Sequence, residues 1–310
     1  MNNLASIIGP TAVGKSEISL YVAQGLDAEI LSCDSMQVYK GMDIGTAKVS
    51  PQKQMEVKHH LIDIVNPDQE YTVVDYQTDA QKLIKQLNKN NTIPILVGGT
   101  GLYYQAVVDD YTFYPMETRN EIREKWEQVI SEKGLEYAYE YLKKIDNDYA
   151  KIISNNDQRR IIRAIEVYEI TGKPFSTMQN LNPDKYNLSS VGLYLERQEL
   201  YAKINNRVLD MLDNGLIEEV IILRKNGYNQ DLKSMQSLGY KQICYYLDGF
   251  LTKEQMISEI QRDTRRFAKR QFTWFNKDKR ITWFDVGKHT NKEKLVEKIL
   301  KHMEGQLYKV

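Results

Sequence analysis

The sequence predicts an α/β fold in which helices flank a parallel sheet and a helical insertion interrupts it. Short apolar runs at residues 4–8, 28–33 and 92–97 are separated by polar loops and by helical periodicity, as in strand–helix–strand units. Between residues 114 and 187 only helical patterns occur. At 310 residues the chain has room for such an insertion. We expect a core of residues 1–113 and 188–310 and an insertion of residues 114–187.

The first predicted strand leads into a glycine-rich loop at residues 9–16, and helical spacing follows from Glu17. The loop has the pattern G-x-x-x-x-G-K-[ST], which binds phosphate when a strand precedes it and a helix follows. Backbone N–H groups and the helix dipole favour an anion there, Lys15 adds a cation, and the Ser16 hydroxyl can hold a phosphate-bound metal ion. A chance match in an ordinary turn is the alternative. The loop, called the phosphate loop below, consists of Gly9, Pro10, Thr11, Ala12, Val13, Gly14, Lys15 and Ser16.

Asp34 follows the second predicted strand, at residues 28–33. In parallel α/β sheets ligands bind at the carboxyl ends of the strands, so this carboxylate is a candidate site residue. Aspartate is also common at helix caps and turns, and composition alone does not separate the two interpretations.

The predicted strand at residues 92–97 ends in Gly98, Gly99 and Thr100. Many nucleotide hydrolases carry a magnesium-organising aspartate at the end of a neighbouring strand. Its absence argues against simple ATP hydrolysis, while the glycines allow a ligand to approach the backbone closely.

The insertion carries helical patterns at residues 117–133, 135–145 and 158–168. Asn156 or Asp157 is the expected cap of the last helix, and Gly172 and Pro174 are expected to end it. Arg159, Arg160 and Arg163 lie within little more than one turn of the last of these helices. Such a cluster most often forms a solvated helix face, and contact with a nucleic acid is the alternative.

Strand character returns at residues 191–195, and a helical pattern follows from Leu200 to Leu212. Arg197 lies just after this strand, so it can reach the same sheet edge as the phosphate loop. Lys203 and Arg207 lie one and two turns further along.

A basic segment at residues 261–280 contains eight Lys or Arg residues, two acids and four aromatic residues. On a helix, Arg266 and Lys269 fall on one side, and Ala268 and Phe275 on another. One side would pack while the other presents positive charge. Because Lys plus Arg equals Asp plus Glu at 42 each in the whole chain, this segment is where we expect a polyanion to bind. A surface helix without a partner is the alternative.

The remaining composition excludes several classes of protein. The two cysteines, Cys33 and Cys244, are far apart and form no C-x-x-C, which excludes a disulfide scaffold and a cysteine–zinc site. The N-terminus has no signal-peptide pattern, and no apolar run is long enough to span a membrane. We expect a soluble cytoplasmic protein without membrane contact.

Seven segments, in order along nearly the whole chain, resemble the sequence motifs of the tRNA dimethylallyltransferases (tRNA isopentenyltransferases). They are Gly-Pro-Thr-Ala-x-Gly-Lys-Ser at 9–16, Asp-Ser-Met-Gln-Val-Tyr at 34–39, Gly-Met-Asp-Ile-Gly-Thr-Ala-Lys at 41–48, Val-Gly-Gly-Thr at 97–100, Gln-Arg at 158–159, Leu-Gly-Tyr-Lys-Gln at 238–242 and Ala-Lys-Arg-Gln-x-Thr-Trp at 268–274. The resemblance implies a core like that of P-loop kinases, with an inserted helical domain that contacts tRNA. It also implies transfer of a dimethylallyl group from dimethylallyl diphosphate to N6 of adenine 37, beside the anticodon, assisted by Mg²⁺.

By this resemblance we assign catalysis to Asp34, as general base, together with Lys15, Thr100 and Arg197. The phosphate loop and Lys203 would bind the diphosphate, and Ser16 the metal ion. The family often has arginine at the position of Lys203, and lysine keeps the charge but loses bidentate geometry. The residues assigned to the tRNA anticodon loop are Asp34, Ser35, Met36, Gln37, Thr100, Arg123, Gln158, Arg159, Arg160, Ile161, Ile162, Gly239, Tyr240, Lys241, Gln242, Arg266, Lys269 and Arg270. We expect a monomer.

Three alternatives stay open at this point. A small-molecule kinase or NTPase would use the same loop for ATP, and the glycines after residue 97 speak against it. A transferase that prenylates free AMP would have no need of the basic segment or the insertion. An RNA-binding protein with a vestigial loop would not need Gly14, Lys15, Ser16 and Asp34.

Overall fold

The computed structural model describes residues 1–113, 120–178, 181–288 and 291–308, and the chain divides into two compact units. The first unit comprises Met1–Val108 and Asp184–Val310, and the second comprises Asp109–Pro183. The second unit begins and ends a few residues before the expected insertion boundaries, 114 and 187. The predicted start of the insertion's first helix, at residue 117, lies outside the described residues.

The described residues form one six-stranded sheet in which every pairing is parallel. Its strand order is β3-β2-β4-β1-β5-β6, so β1 lies in the interior, between β4 and β5. The strands are β1 (Asn2–Ile8), β2 (Ala28–Cys33), β3 (His59–His60), β4 (Ile93–Gly98), β5 (Tyr186–Tyr194) and β6 (Ile281–Asp285). The predicted α/β fold with a parallel sheet is therefore confirmed.

Helices of the first unit flank this sheet. In the described residues of the second unit, the regular structure is helical, with a short 3₁₀ helix at Phe175–Met178. In chain order the α-helices are α1 (Lys15–Gly25), α2 (Pro51–Glu56), α3 (Val73–Lys89), α4 (Gly101–Val108), α5 (Asn120–Lys133), α6 (Leu135–Ile145), α7 (Asn147–Ile152), α8 (Gln158–Thr171), α9 (Arg197–Asp213), α10 (Leu216–Lys225), α11 (Tyr240–Leu247), α12 (Lys253–Phe275) and α13 (Lys292–Leu307). Helices α5–α8 belong to the second unit, and the others to the first.

The sheet is buried on both faces, and its central strands are therefore continuous apolar runs in the sequence. One face packs on α1, α9 and α13 through side chains such as Ile7, Val22 and Ile299. The opposite face packs on α3 and α4 through side chains such as Leu96 and Tyr76. This two-sided burial holds the carboxyl ends of β1, β2 and β4 in fixed register at one edge of the sheet.

The helix boundaries follow local capping chemistry. Thr72 and Asp75 form a reciprocal capping box at the start of α3, and Thr252 and Gln255 form another at the start of α12. In the second unit, Asp157 caps α8 and the left-handed Gly172 ends it, as the sequence predicted.

Three parts of the secondary structure differ from the sequence predictions. The pattern of residues 58–65 also predicts a strand, but only His59–His60 form one there, β3. The strand expected at 191–195 begins earlier, at Tyr186. Strand β6 was missed, although its run Ile-Thr-Trp-Phe is rich in β-branched and aromatic residues.

Candidate active site

The phosphate loop connects the interior strand β1 to helix α1, and its backbone is held in an unusual conformation. Gly14 (φ 104°, ψ 15°) precedes the helix in the left-handed region, and no side chain caps the first turn of α1. Ala12 also has a positive φ, 65°. At Gly9 a Cβ atom would lie 2.4 Å from the Leu193 carbonyl oxygen, so only glycine fits there. The uncapped N–H groups of this turn are donors without a side-chain partner, which suits an anion.

The Lys15 side chain folds back on the phosphate loop. Its Nζ donates to the carbonyl oxygens of Gly9, at 3.0 Å, and Pro10, at 2.8 Å. Burial, and next the positive charge of Arg207, lower the pKa of Lys15 to about 7, against the opposing pull of Asp34. An anion bound beside the amine would favour its charged form, because opposite charges raise the pKa of a lysine.

Asp34 lies directly after β2, where sequence analysis expected it. Its Oδ1 accepts a hydrogen bond of 2.9 Å from the Met36 N–H. Burial raises the pKa of the Asp34 carboxyl, while the Met36 N–H, Lys15 and Arg207 act in the opposite direction. A carboxylate with a raised pKa is a stronger base than an exposed one, which suits proton abstraction near neutral pH.

Thr100 and Gln37 hold the loop that carries Asp34. The Thr100 Oγ1 accepts a 3.0 Å hydrogen bond from the Ser35 N–H, and the Thr100 N–H donates to the Cys33 carbonyl at 3.1 Å. The Gln37 amide accepts from the Ser32 hydroxyl at 2.8 Å and donates to the Thr46 carbonyl at 3.2 Å. The loop after β2 is thereby fixed on both sides of the Asp34 carboxylate.

These elements surround a cavity of about 560 Å³, whose lining comes entirely from the first unit. Among the predicted site residues, its walls include Thr11, Ala12, Gly14, Lys15, Ser16, Asp34, Gln37 and Lys203. Arg197 and Thr100 are not among the lining residues. Arg197 is exposed at the first turn of α9, where its guanidinium lies 5.2 Å from the ring centroid of Tyr201.

Arg207 lines the cavity and was not among the predicted site residues. It lies one turn after Lys203 on α9, and burial lowers its pKa while Asp34 opposes that effect. The four-residue spacing from Lys203 places both cations on one helix face, a signal already present in the sequence. Arg207 and Lys203 thus supply positive charge on the wall of the cavity that also holds Lys15.

Gln271 of α12 is a second lining residue that the prediction missed. Its side chain is 5% exposed. The Oε1 accepts from the Thr11 N–H at 2.9 Å, and the Nε2 donates to the Gly99 carbonyl at 3.0 Å. The residue lies within the Ala-Lys-Arg-Gln-x-Thr-Trp motif, of which only Lys269 and Arg270 had been assigned a role from the sequence.

The comparisons with known proteins agree with one another. The family model described as IPP transferase matches residues 37–278. The chain is 58% identical to a tRNA dimethylallyltransferase of Syntrophomonas wolfei over 306 residues, covering 99% of both chains. It is 50% identical to a tRNA dimethylallyltransferase of Carboxydothermus hydrogenoformans over 300 residues, covering 96% of both chains. The chain belongs to the IPP transferase family.

Solved structures of the same family match the fold. The full-length tRNA isopentenylpyrophosphate transferase of Bacillus halodurans superposes with a TM-score of 0.76 at 39% identity, covering 100% of this chain and 98% of the other. A eukaryotic dimethylallyltransferase acting on tRNA gives 0.75 at 28% identity, covering 92% and 74%. The core of this IPP transferase family member is the P-loop kinase-like fold expected from the sequence.

The basic side of α12 is exposed, as its pattern indicated. Arg266, Lys269 and Arg270 are exposed, and Arg266 lies 3.5 Å from Asp263. Arg262 donates to the adjacent Asp263 at 2.9 Å, and this ion pair partly neutralises its charge. The three exposed cations are available to a polyanion.

The Leu-Gly-Tyr-Lys-Gln segment lies largely inside the first unit. Tyr240 is fully buried, and its hydroxyl donates to Glu219 at 2.6 Å. Gln242, 5% exposed, accepts from the Gly239 N–H and donates to Asp263. Lys241 is half-buried, 5.6 Å from the ring centroid of Tyr245. Direct tRNA contact by the Tyr240 and Gln242 side chains does not fit their burial. Their hydrogen bonds instead hold neighbouring segments of the first unit together.

The predicted tRNA residues of the second unit divide by burial. Gln158, Arg159 and Arg160 are exposed at the start of α8, whereas Ile161 and Ile162 are buried in the core of this unit. Because these isoleucines pack inward, their side chains cannot touch a ligand at the surface, contrary to the sequence assignment.

Arg123 is held by Glu166 within the second unit. The Nε and one terminal nitrogen of Arg123 lie 2.9 and 3.0 Å from the two carboxylate oxygens of Glu166, whose side chain is 4% exposed. Arg163 approaches the same carboxylate at 3.4 Å. This bidentate pair fixes the orientation of the Arg123 guanidinium. The RNA contact assigned to Arg123 stays a prediction.

The donor set at the phosphate loop fits one kind of magnesium site. No group of three or more His, Cys, Asp or Glu residues that could hold a metal occurs in the described parts of the chain. Magnesium usually keeps several waters and takes only one or two protein ligands when it is bound through substrate phosphates. The exposed Ser16 hydroxyl at the cavity wall suits that arrangement.

No helix among the described residues is both long and apolar enough to cross a membrane.

Proposed function

We propose that this protein transfers the dimethylallyl group of dimethylallyl diphosphate to the exocyclic N6 of adenine 37 in tRNA and releases diphosphate. The observation that carries the proposal is a single cavity in which Asp34 faces the phosphate loop, Lys15 and Arg207. Such a site pairs a base for the acceptor with cations for a leaving diphosphate. The names of its relatives, tRNA dimethylallyltransferases, support the same activity.

The chemistry divides between the two sides of the cavity. As the C1–O bond of the donor breaks, its electron pair passes to the diphosphate, where the loop N–H groups, Lys15, Lys203 and Arg207 stabilise the charge. The N6 lone pair, delocalised into adenine, forms the new C1–N bond. Asp34 accepts the proton that N6 loses in that step, and its raised pKa favours this. Ser16 would hold Mg²⁺, which would neutralise part of the diphosphate charge.

The acceptor base must leave the stacked anticodon loop to reach this cavity, because enzymes that act on bases extrude them. We propose that Arg266, Lys269 and Arg270 bind the RNA backbone. Gln158, Arg159 and Arg160 are proposed to bind the tRNA from the second unit. Arg197 stays a proposed contact to the diphosphate despite lying outside the cavity lining.

A P-loop kinase acting on ATP is the competing function. Strand β4 ends at Gly98 and Gly99 follows, and neither supplies a carboxylate for a nucleotide-bound metal. Asp34 could serve as a base in either function, since kinases also use an aspartate to accept the proton of the acceptor. The names of the relatives favour the transferase. Transfer of a prenyl group is therefore the function that fits the cavity better.

The test is to incubate the protein with Mg²⁺, labelled dimethylallyl diphosphate and unmodified tRNA, and to map the labelled nucleotide. We expect label on adenine 37 of some tRNAs. Label on free AMP but not on tRNA, or ATP hydrolysis without prenyl transfer, would refute the proposal.

We also propose that the protein acts as a monomer in the cytoplasm, where its tRNA substrate is found. A mass equal to that of one chain, 36.2 kDa, is the expected result for a monomer. Light scattering during size-exclusion chromatography measures this mass, and a value well above 36.2 kDa would contradict the monomer.

A further inference from the structure

One side chain joins the basic helix to both loops that form the floor of the cavity. The Gln271 amide accepts from the Thr11 N–H of the phosphate loop at 2.9 Å and donates to the Gly99 carbonyl at 3.0 Å. Thr11 and Gly99 are not otherwise hydrogen-bonded to each other in the described structure. Gln271 thus links the loop after β1 to the loop after β4, beyond the strand pairing that ends at Ile8 and Gly98.

The chemistry of this link requires a neutral amide. Among uncharged side chains, only an Asn or Gln amide offers a carbonyl acceptor and an N–H donor on one planar group. At 5% exposure, Gln271 has little water to replace either bond, so the loss of one leaves a backbone group unpaired. A carboxylate of the same length would lose the bond to the Gly99 carbonyl, and an apolar residue would lose both bonds.

The neighbouring backbone is shaped to admit this side chain. At Gly99 a Cβ atom would lie 2.1 Å from the Gln271 Nε2, closer than any real contact. Glycine at position 99 therefore allows the amide to reach the Gly99 carbonyl. The close approach is a second observation that the link is built into the site.

We propose that Gln271 is a positioning residue that fixes the phosphate loop in the conformation that binds the donor diphosphate. The proposal rests on the proposed function, since it names the diphosphate as the ligand of that loop. It acts through the Thr11 backbone. Arg266, Lys269 and Arg270, the cations proposed to hold tRNA, lie on the same helix, so α12 serves both substrates.

The variant Gln271→Met keeps the length of the side chain and removes both hydrogen bonds. We expect the KM for dimethylallyl diphosphate and the Kd for inorganic diphosphate to rise about tenfold, the equivalent of one or two net hydrogen bonds. The Kd for tRNA should change less than twofold. Isothermal titration with inorganic diphosphate and steady-state kinetics measure these values.

The matched control is Gln261→Met on the same helix. Gln261 is half-buried, donates to the Asn205 carbonyl at 3.1 Å and is not among the cavity-lining residues. This variant loses a comparable bond between α12 and α9, so we expect unchanged diphosphate binding.

A second variant, Gln271→Glu, tests the link by pH. Its carboxylate can accept from the Thr11 N–H but cannot donate to the Gly99 carbonyl, and its charge opposes the diphosphate. Protonation restores a neutral group with both functions. We therefore expect the defect in inorganic diphosphate binding, relative to wild type at each pH, to shrink as the pH falls towards 5. A packing defect would not follow pH in this way.

Equal diphosphate affinity in Gln271→Met and wild type would overturn the proposal. If Gln271→Met fails to fold, a defect in Gln271→Glu that is constant with pH would overturn it instead. Binding of inorganic diphosphate needs no tRNA, so failure of this link is separable from failure of the transferase. A wild type that prenylates no tRNA would refute the proposed function while the diphosphate measurements still decide the role of Gln271.

Discussion

Lys15 and Asp34 have pKa values shifted in opposite directions by the same cause, burial in one cavity. Burial disfavours charge, so the amine loses its proton more readily and the carboxyl holds its proton more tightly. Each shift suits the proposed role. The lysine gains its charge when the anion arrives, and the aspartate becomes a stronger base for the adenine amine.

Replacement of Asp34 by asparagine tests its chemical role. We expect kcat to fall about 10²–10⁴-fold, since the amide cannot accept the proton, while the Kd for tRNA is unchanged. Single-turnover rates and filter binding give the two values. A near-normal single-turnover rate would show that another group is the base.

The pH dependence of wild-type turnover follows from the same carboxyl. Because the pKa of Asp34 is raised, its base form is lost as the pH falls through a value above that of an ordinary aspartate. We expect the acid limb of kcat/KM for the donor to lie correspondingly high. An acid limb at the ordinary aspartate pKa would contradict the burial argument.

The lowered pKa of Lys15 predicts that the protein takes up a proton when diphosphate binds. With a pKa of about 7, Lys15 is largely neutral at pH 8 in the empty site, and a bound anion raises that pKa so that a proton is taken up. Titration of inorganic diphosphate in buffers of different ionisation enthalpy measures the uptake. The variant Lys15→Met should bind more weakly and show less uptake, and an uptake identical in both proteins would remove Lys15 as its source.

At the scale of elements, one carboxylate joins the loop at residues 41–48 to helices α10 and α11. Glu219 of α10 accepts from the N–H groups of Asp43, Ile44 and Gly45, at 2.8–3.2 Å, and from the Tyr240 hydroxyl. Gly45 is required here, because a Cβ atom would lie 2.4 Å from the Tyr240 ring. The next residue, Thr46, lines the cavity, so this junction supports a wall of the site.

The variant Tyr240→Phe should therefore destabilise the protein without touching the chemistry. We expect the free energy of unfolding to fall by about 1.5 kcal/mol, the contribution of a hydrogen bond to a charged group. Urea denaturation measures it, with Tyr246→Phe as the control. Tyr246 lies on the same helix and its hydroxyl makes no hydrogen bond to the described residues. Full stability of Tyr240→Phe would show that the hydrogen bond to Glu219 does not hold this junction together.

At the scale of the whole molecule, charge balance decides where RNA can bind. Basic and acidic residues are equal in number, so affinity for a polyanion must come from a local surface such as the exposed side of α12.

Combined replacement of Arg266, Lys269 and Arg270 by alanine should weaken tRNA binding and flatten its salt dependence. Each lost phosphate contact lowers the slope of log affinity against log salt by about 0.7–0.9. The variant Arg262→Ala, in which the lost cation is paired with Asp263, should change the slope less. Fluorescence anisotropy across salt concentrations gives both slopes, and equal slopes in wild type and triple variant would exclude this surface.

The sequence by itself determined the parts of the protein that local rules specify. Residues 9–16 must form a strand-to-helix phosphate loop, because glycine spacing and helix geometry act within one turn. The parallel core and the helical insertion followed from periodicity, and Asp34 followed from its place at a strand end. These features depend on neighbours in the chain.

Only the tertiary structure decided which distant residues meet. Arg207 faces Asp34, and Gln271 reaches Thr11 across 260 positions of sequence, because sheet order and helix packing bring them together. It also showed that Tyr240 is buried, where the motif alone had suggested an RNA contact. Contacts and burial arise from close packing of remote segments, and no local pattern encodes them.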